Sequence, residues 1–347
     1  MRAMLLIKPG DGRPGAWLTE ETVATPGAAD DDVLIRVSVC GVCRTDLDLV
    51  EGRLRASHYP LIPGHQIVGE IAAVGGRVHD RRDGDRVGVA WINHACGECR
   101  WCRRGEENLC PYFRATGCDA DGGYAEYVAA PAAFTYPLPP ALDDEHAAPL
   151  LCAGAIGWRS LRLAGLRDGD PLGLTGFGAS AHLVLQLARH QYANSPVYVF
   201  ARSAAERDFA RELGAAWAGD TADQPPGPLA AIIDTTPAWT PVVDALPRLM
   251  PGGRLVINAI RKLDVDRGEL ARIDYPTSLW MEREIKSVAN VTRADVREML
   301  DAAAAMHLTP TVDVVPLAKA NDALARLRAS RAIRGATVLR VGDASGV

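Results

Sequence analysis

Residues 171–182, Pro171-Leu172-Gly173-Leu174-Thr175-Gly176-Phe177-Gly178-Ala179-Ser180-Ala181-His182, read as a short apolar strand, a G-x-G-x-x-A turn and a helix continuing to His190. A second strand is expected at 197–200 and a second helix at 204–213, ending at Gly214. This βαβ setting is what makes the glycine pattern informative, because the motif alone is common. Gly176 would make the tight turn, Gly178 would let the backbone approach a pyrophosphate, and Ala181 would allow close helix–sheet packing. With Ala179 and Ser180, they place a helix N-terminus, with its partial positive charge, against phosphate. The stretch predicts an α/β, Rossmann-type, doubly wound parallel sheet that binds a dinucleotide, extended by strands at 231–233 and 254–258.

An NAD-binding chain would offer Asp or Glu to the ribose hydroxyls at the end of the second strand, roughly 20 residues beyond the glycines. Here the residues are Phe200-Ala201-Arg202-Ser203. An arginine beside a hydroxyl is what a 2′-phosphate needs, since a guanidinium can bond it bidentately. NADP(H) is therefore expected over NAD(H). The plainer alternative is that Arg202 is a solvated residue opening a helix.

Upstream of residue 143 the pattern is β-rich, with strands expected at 33–39 and 86–89 and turns marked by Gly and Pro. Residues 40–70, CGVCRTDLDLVEGRLRASHYPLIPGHQIVGE, hold Cys43 and His65 on turns, with Asp46 nearby and a short helix expected at 43–48. A thiolate and an imidazole make half of a zinc site, and a catalytic zinc takes three protein ligands and keeps one position open. Cys96, Cys99, Cys102 and Cys110 follow as C-x2-C-x2-C-x7-C in a polar loop, a donor set that closes a structural zinc site. Four free cysteines there would be an oxidation liability, and a zinc-ribbon module would pair its C-x2-C halves across a longer spacer. Cys152 lies in EHAAPLLCAGAIGWRSL, read as one helix capped by Asp143 or Asp144. By itself it is an ordinary core cysteine; the missing third ligand raises its interest.

With 347 residues, 48% of them hydrophobic, the chain has material for two cores. A net charge of −5 offers no basic surface for nucleic acid. The apolar run at 4–7 is too short for a secretory signal, and nothing approaches the ~18 apolar residues of a membrane span. A cytoplasmic location is expected, where eight cysteines argue for metal ligation or catalysis over disulfides.

In combination, Gly41-Val42-Cys43-Arg44-Thr45-Asp46, Gly64-His65, the four-cysteine loop, Gly176-x-Gly178 and Ile333-Arg334-Gly335 resemble the zinc-dependent medium-chain alcohol dehydrogenases. PLLCAGAIGWRSL, GFGASAH and SVANVTR look closest to the bacterial cinnamyl-alcohol-dehydrogenase-like branch. The resemblance covers essentially the whole chain. It implies a GroES-like catalytic domain over residues 1–152 and 292–347, with the structural zinc loop at 96–110, and a Rossmann coenzyme domain over 153–291.

It further implies two zinc ions per chain: a catalytic one on Cys43, His65 and Cys152, with Asp46 orienting His65, and a structural one on the four cysteines. Thr45 would hydrogen-bond the substrate oxygen and pass its proton on, and Arg44 and Arg334 would lie near the pyrophosphate. Trp91, Ile156 and Trp280 would wall the pocket, although each could equally be ordinary core. The implied reaction is zinc-assisted hydride exchange between NADP(H) and a small-molecule alcohol or aldehyde, in a homodimer or homotetramer without nucleic-acid or membrane partners. A specialised C=C or C=N reductase, or a sensor without turnover, are the other readings.

Two positions depart from the family pattern. Asp48 stands where many relatives have the histidine that ends the proton relay, and a carboxylate's reference pKa of ~3.9 suits that role less well. Gln66 replaces a glutamate beside the histidine ligand, so water is expected at the fourth zinc position.

Overall fold

A computed structural model describes residues 1–10, 15–329 and 334–342; Ile333, named in the last motif above, lies outside them. The chain divides into two compact units, Met1–Ala155 with Asn290–Val347, and Ile156–Ala289.

The second unit carries a six-stranded parallel sheet in the order Trp217–Gly219, Val197–Phe200, Leu172–Thr175, Leu229–Asp234, Leu249–Ile257, Glu284–Ser287. The Leu172–Thr175 strand is buried throughout, as expected of an apolar run covered on both faces. From it the chain winds outward through two strands on one side, then crosses to Leu229–Asp234 on the other. The order therefore reverses at the carboxyl end of Leu172–Thr175, the switch point where such sheets bind ligands and where the glycine turn stands. Two outer strands escaped sequence reading. Trp217–Gly219 has only three residues, and Glu284–Ser287 (EIKS) is exposed at every position.

The first unit is built on the long Asp32–Val42 strand, whose Val33, Ile35, Val37 and Val39 alternate into the core. It lies in a seven-stranded sheet ordered Val312–Pro316, Ala336–Arg340, Asp32–Val42, Ile67–Val74, Arg86–Val89, Thr135–Pro137, and it also pairs with Tyr127–Pro131. Ala336–Arg340 pairs with residues 39–42, so the end of the chain supports the strand end that delivers Cys43.

The helix expected to run unbroken through Cys152 is interrupted. Asp144–Ala147 is one turn, Ala148–Leu151 tightens into a 3-10 turn, and the long helix starts afresh at Ala153–Ala164. Pro149 lacks an N–H and crowds the carbonyl four residues back, which breaks the helical bonding. Cys152 itself sits at φ −132°, ψ −73°, outside the helix.

Among the described residues no helix is long and apolar enough to cross a membrane. Arg293, opening the Arg293–Ala305 helix, grips Glu107 in the four-cysteine loop through its backbone N–H (2.7 Å), Nε and Nη2 (2.7 Å). Burial alone would raise the Glu107 carboxyl, but the hydrogen bonds from Arg293 outweigh it and hold the carboxyl below its usual value. The pair therefore stabilises the fold above the unfolded carboxylate pKa, and that contribution is lost as pH falls through the lowered one. A Glu107→Gln variant is expected to lose about 2 kcal/mol at pH 7. In urea unfolding of both proteins, the gap should close below about pH 4; a gap independent of pH would contradict the pairing.

Candidate metal and coenzyme sites

The Asp32–Val42 strand runs into Cys43, which stands just ahead of the Arg44–Val50 helix. Asp46, in the first turn, accepts the Cys43 N–H at Oδ2 (2.7 Å), so the turn is capped by the carboxylate that also serves the site. Its Oδ1 faces His65 Nδ1 at 3.2 Å, with both side chains buried. The other imidazole nitrogen, Nε2, lies 3.3 Å from Cys152 Sγ, and Cys152 Sγ lies 3.9 Å from Cys43 Sγ. Three donors from positions 43, 65 and 152 thus converge, all within 4.8 Å of one another. Zinc at ~2.3 Å from sulfur and ~2.0 Å from nitrogen, with tetrahedral angles, requires separations of ~3.8 Å between sulfurs and ~3.5 Å from sulfur to nitrogen. The cluster fits a metal ion with one position left over.

Without metal, the three groups divide their protons unequally. A hydrogen bond from Cys152 holds the Cys43 thiol well below its usual pKa; burial opposes this, and His65 adds to it. The same hydrogen bond, with burial, pushes Cys152 up. Burial would lower His65, but Asp46 and Cys43 overcome it and raise the imidazole to about 10.

Thr45 Oγ1 lies 3.7 Å from Cys43 Sγ. Trp91 meets the His65 ring edge-on, with centroids 4.9 Å apart, and its Nε1 donates to Asn290 Oδ1 (2.9 Å). Gln66 is buried with its amide against Gly41, where a Cβ would lie 2.9 Å from Gln66 Cδ. Asp48, the candidate for the end of the relay, accepts Arg53 Nε at Oδ1 (2.6 Å), and Arg53 also pairs with Glu51. Its carboxylate is committed to a guanidinium. Ile156 is half-buried in the Ala153–Ala164 helix, and Trp280 is exposed beside Tyr275.

The four loop cysteines also converge. Cys96 lies 3.9 Å from Cys102 and 3.6 Å from Cys110, and Cys99 lies 3.6 Å from Cys102, all Sγ to Sγ. These are edges of a tetrahedron of the size that four thiolates make around zinc.

At the coenzyme turn Gly176 has φ +77°, and a Cβ there would strike Thr236 and Thr235. Gly178 caps the Ala179–Gln191 helix without a side-chain acceptor, and a Cβ there would meet nothing within 4 Å. Open space ahead of this helix start, where the first turn's N–H groups have no intrahelical acceptor, fits a pyrophosphate. Arg202 is exposed, with no side-chain partner among the described residues, and the Ser203 hydroxyl is not used to cap the Ala204–Glu212 helix. Arg44 follows Cys43 directly, and Arg334 is exposed just before the last strand.

Sequence reading missed a buried cluster behind this turn. The Lys262 ammonium donates to the Asp234 carboxylate, Thr236 O (2.9 Å) and Ala238 O (2.8 Å), while Asp234 also accepts from Thr175 Oγ1 (2.6 Å). These bonds fix residues 234–238 beside Gly176. The one available signal was an aspartate ending an apolar strand.

Residues 29–140 match the alcohol dehydrogenase GroES-like domain. A probable alcohol dehydrogenase of Mycobacterium tuberculosis is 46% identical over 348 residues, spanning 98% of this chain and 97% of its own length. Among solved structures, the cobalt- and zinc-bound thermostable alcohol dehydrogenase of Pyrobaculum aerophilum is similar with a TM-score of 0.85 at 26% identity, covering 98% of this chain and 99% of that one. A cinnamyl alcohol dehydrogenase of Sorghum bicolor has a TM-score of 0.83 at 26% identity, over 98% and 97% of the two chains.

The proton inventory sets an expected outcome for metal loading. The Cys43 thiol is held low by its hydrogen bond from Cys152, while Cys152 is pushed up by that same bond and by burial and His65 is raised to about 10 by Asp46 and Cys43 against burial, so Cys152 and His65 hold protons that a metal must displace. With the four-cysteine loop already filled, one further zinc should release at least about two protons near pH 7.5, and its affinity should rise steeply with pH. Titration calorimetry in buffers of different ionisation enthalpy counts them; a count near zero would contradict the assignment.

Proposed function

The chain belongs to the zinc-dependent medium-chain alcohol dehydrogenases, and we propose that it transfers a hydride between NADP(H) and a primary alcohol or aldehyde of apolar or aromatic character. The observation that carries this reading is the three-donor cluster of Cys43, His65 and Cys152, which leaves a coordination position for a substrate oxygen. Bound there, zinc supplies a Lewis acid toward that oxygen, and the nicotinamide supplies or accepts the hydride.

The remaining work falls to the chain. Cys43 and Cys152 hold the metal as thiolates, and Asp46 keeps the His65 proton on Nδ1 so that Nε2 points at the metal. The Thr45 hydroxyl, close to Cys43, exchanges the proton of the substrate oxygen. Trp91, edge-on to His65, gives the pocket a flat apolar wall that suits an aromatic substrate. Cys96, Cys99, Cys102 and Cys110 would hold a second zinc, which would tie their loop together.

Gly176, Gly178 and the N–H groups of Ala179, Ser180 and Ala181 receive the pyrophosphate. Arg202 and Ser203 receive the 2′-phosphate, for which their free donors are the support. Asp48 is better read as an anchor of the Arg44–Val50 helix than as a relay member, because Arg53 occupies its carboxylate. The exposed edge strand Glu284–Ser287, flanked by exposed Trp280 and Met281, supports association of two copies as a dimer or tetramer.

Zinc-replete protein given NADPH should consume it with cinnamaldehyde and benzaldehyde faster than with a short aliphatic aldehyde, yielding the alcohol. Absence of coenzyme loss with any aldehyde would sink the reading. Arg202→Ala is expected to weaken NADPH binding about 10- to 100-fold and leave NADH unchanged; equal effects on both would remove Arg202 from the phosphate site. Asp48→Asn should keep the pH–rate profile of the parent enzyme while lowering stability by about 1–3 kcal/mol. A shifted profile would return Asp48 to the relay.

A further inference from the structure

Gly122-Gly123-Tyr124 lies clamped along Ile62-Pro63-Gly64, the segment that presents His65. Gly122 N–H donates to Ile62 O (2.7 Å), Gly123 N–H to Gly64 O (3.0 Å) and Tyr124 N–H to Pro63 O (3.0 Å). The two segments touch so closely that a Cβ on Gly122 would lie 2.0 Å from Gly64 O. Gly64 has φ +98°, and a Cβ there would lie 2.4 Å from Tyr124 Cδ1. The tyrosine ring thus fills the volume that Gly64 leaves beside His65, and it is 0% exposed.

A phenylalanine would fill the same volume. What tyrosine adds is a hydroxyl, which is costly to bury unless it is hydrogen-bonded. The Tyr124 hydroxyl donates to Asp46 Oδ2 at 3.1 Å. That oxygen also accepts the Cys43 N–H at 2.7 Å, while Oδ1 faces His65 Nδ1 at 3.2 Å. Two donors fixed by separate segments of chain stop the carboxylate from rotating, and its other oxygen stays aimed at the imidazole.

We propose that Tyr124 is a positioning residue of the metal site: its hydroxyl locks the Asp46 carboxylate, which in turn locks His65 with Nε2 toward the two sulfurs. This rests on the reading of Cys43, His65 and Cys152 as a metal site. The hydroxyl touches neither metal nor substrate, so its effect must pass through Asp46.

The test uses full-length protein with zinc in the four-cysteine loop and cobalt(II) in the three-donor cluster. Visible absorption reports the cobalt geometry, and transfer to a chelator reports how firmly the metal is held. Tyr124→Phe is expected to shift the cobalt bands and to release the metal about 10-fold faster than the parent. In an Asp46→Asn background the same change should add less than about twofold, because the hydroxyl then has no carboxylate to act through.

Unchanged bands and an unchanged release rate in Tyr124→Phe would overturn the proposal. So would a full 10-fold effect in the Asp46→Asn background, which would assign the change to ring packing. Where Asp46→Asn yields no folded protein, the Tyr124→Phe comparison decides alone. Failure of the underlying reading looks different: Cys152→Ser would then leave the cobalt content and spectrum of the otherwise unaltered protein unchanged.

Discussion

The Asp46 carboxylate is completely buried, and an isolated charge in such a place would cost several kcal/mol. It is tenable because three separate parts of the chain meet it: the Cys43 backbone N–H at the end of the central strand and the Tyr124 hydroxyl of the Gly-Gly-Tyr turn donate to Oδ2, and the His65 imidazole from the following loop faces Oδ1 at 3.2 Å. Meeting that requirement also builds the site. The N–H that Asp46 accepts belongs to Cys43, one of the three clustered donors, and the imidazole it faces turns its other nitrogen toward Cys152. The first turn of the Arg44–Val50 helix, where Asp46 sits, is moreover the end at which a negative charge is favoured.

Much of this was legible in the sequence because it depends on local chemistry. The glycine turn at 176–181 follows from backbone conformation and close approach, both of which leave glycine as their trace. The four cysteines lie within fifteen residues, so a single loop can close around a metal. Val33, Ile35, Val37 and Val39 alternate as a half-buried strand must. Cys43 and His65 could be paired as candidates because each stands on a turn.

What escaped reading depends on distance or on competition between neighbours. Cys152 looked like part of one long helix; the effect of Pro149 four residues past Glu145 was outweighed, in reading, by the run of small apolar residues around it. The commitment of Asp48 to Arg53 follows from how the chain turns after Glu51, which side-chain identity does not report. Glu284–Ser287 has a strand's backbone and a surface segment's composition, since an edge strand need not bury anything. Lys262 and Asp234 meet across twenty-eight residues, and nothing about a lone lysine announces that its ammonium is buried.

The segment that re-enters the first unit carries a constraint of the same long-range kind. Asn290 adopts φ +52°, accepts from Trp91 Nε1, and donates to Asn108 O in the four-cysteine loop at 3.1 Å. Three residues later Arg293 grips Glu107, and Thr292 with Asp295 forms a reciprocal cap that fixes the start of the helix between them. The four-cysteine loop thus holds the returning chain at two adjacent points, the returning chain holds the Trp91 indole, and the Trp91 indole leans edge-on against His65. A loop that closes around a metal with no open position has no chemistry of its own to perform. Its contribution to the reactive cluster is the order it imposes on Asn290, and through it on the wall beside the imidazole. That explains in physical terms why the four-cysteine loop and the three-donor cluster occur in one compact unit rather than as separable modules.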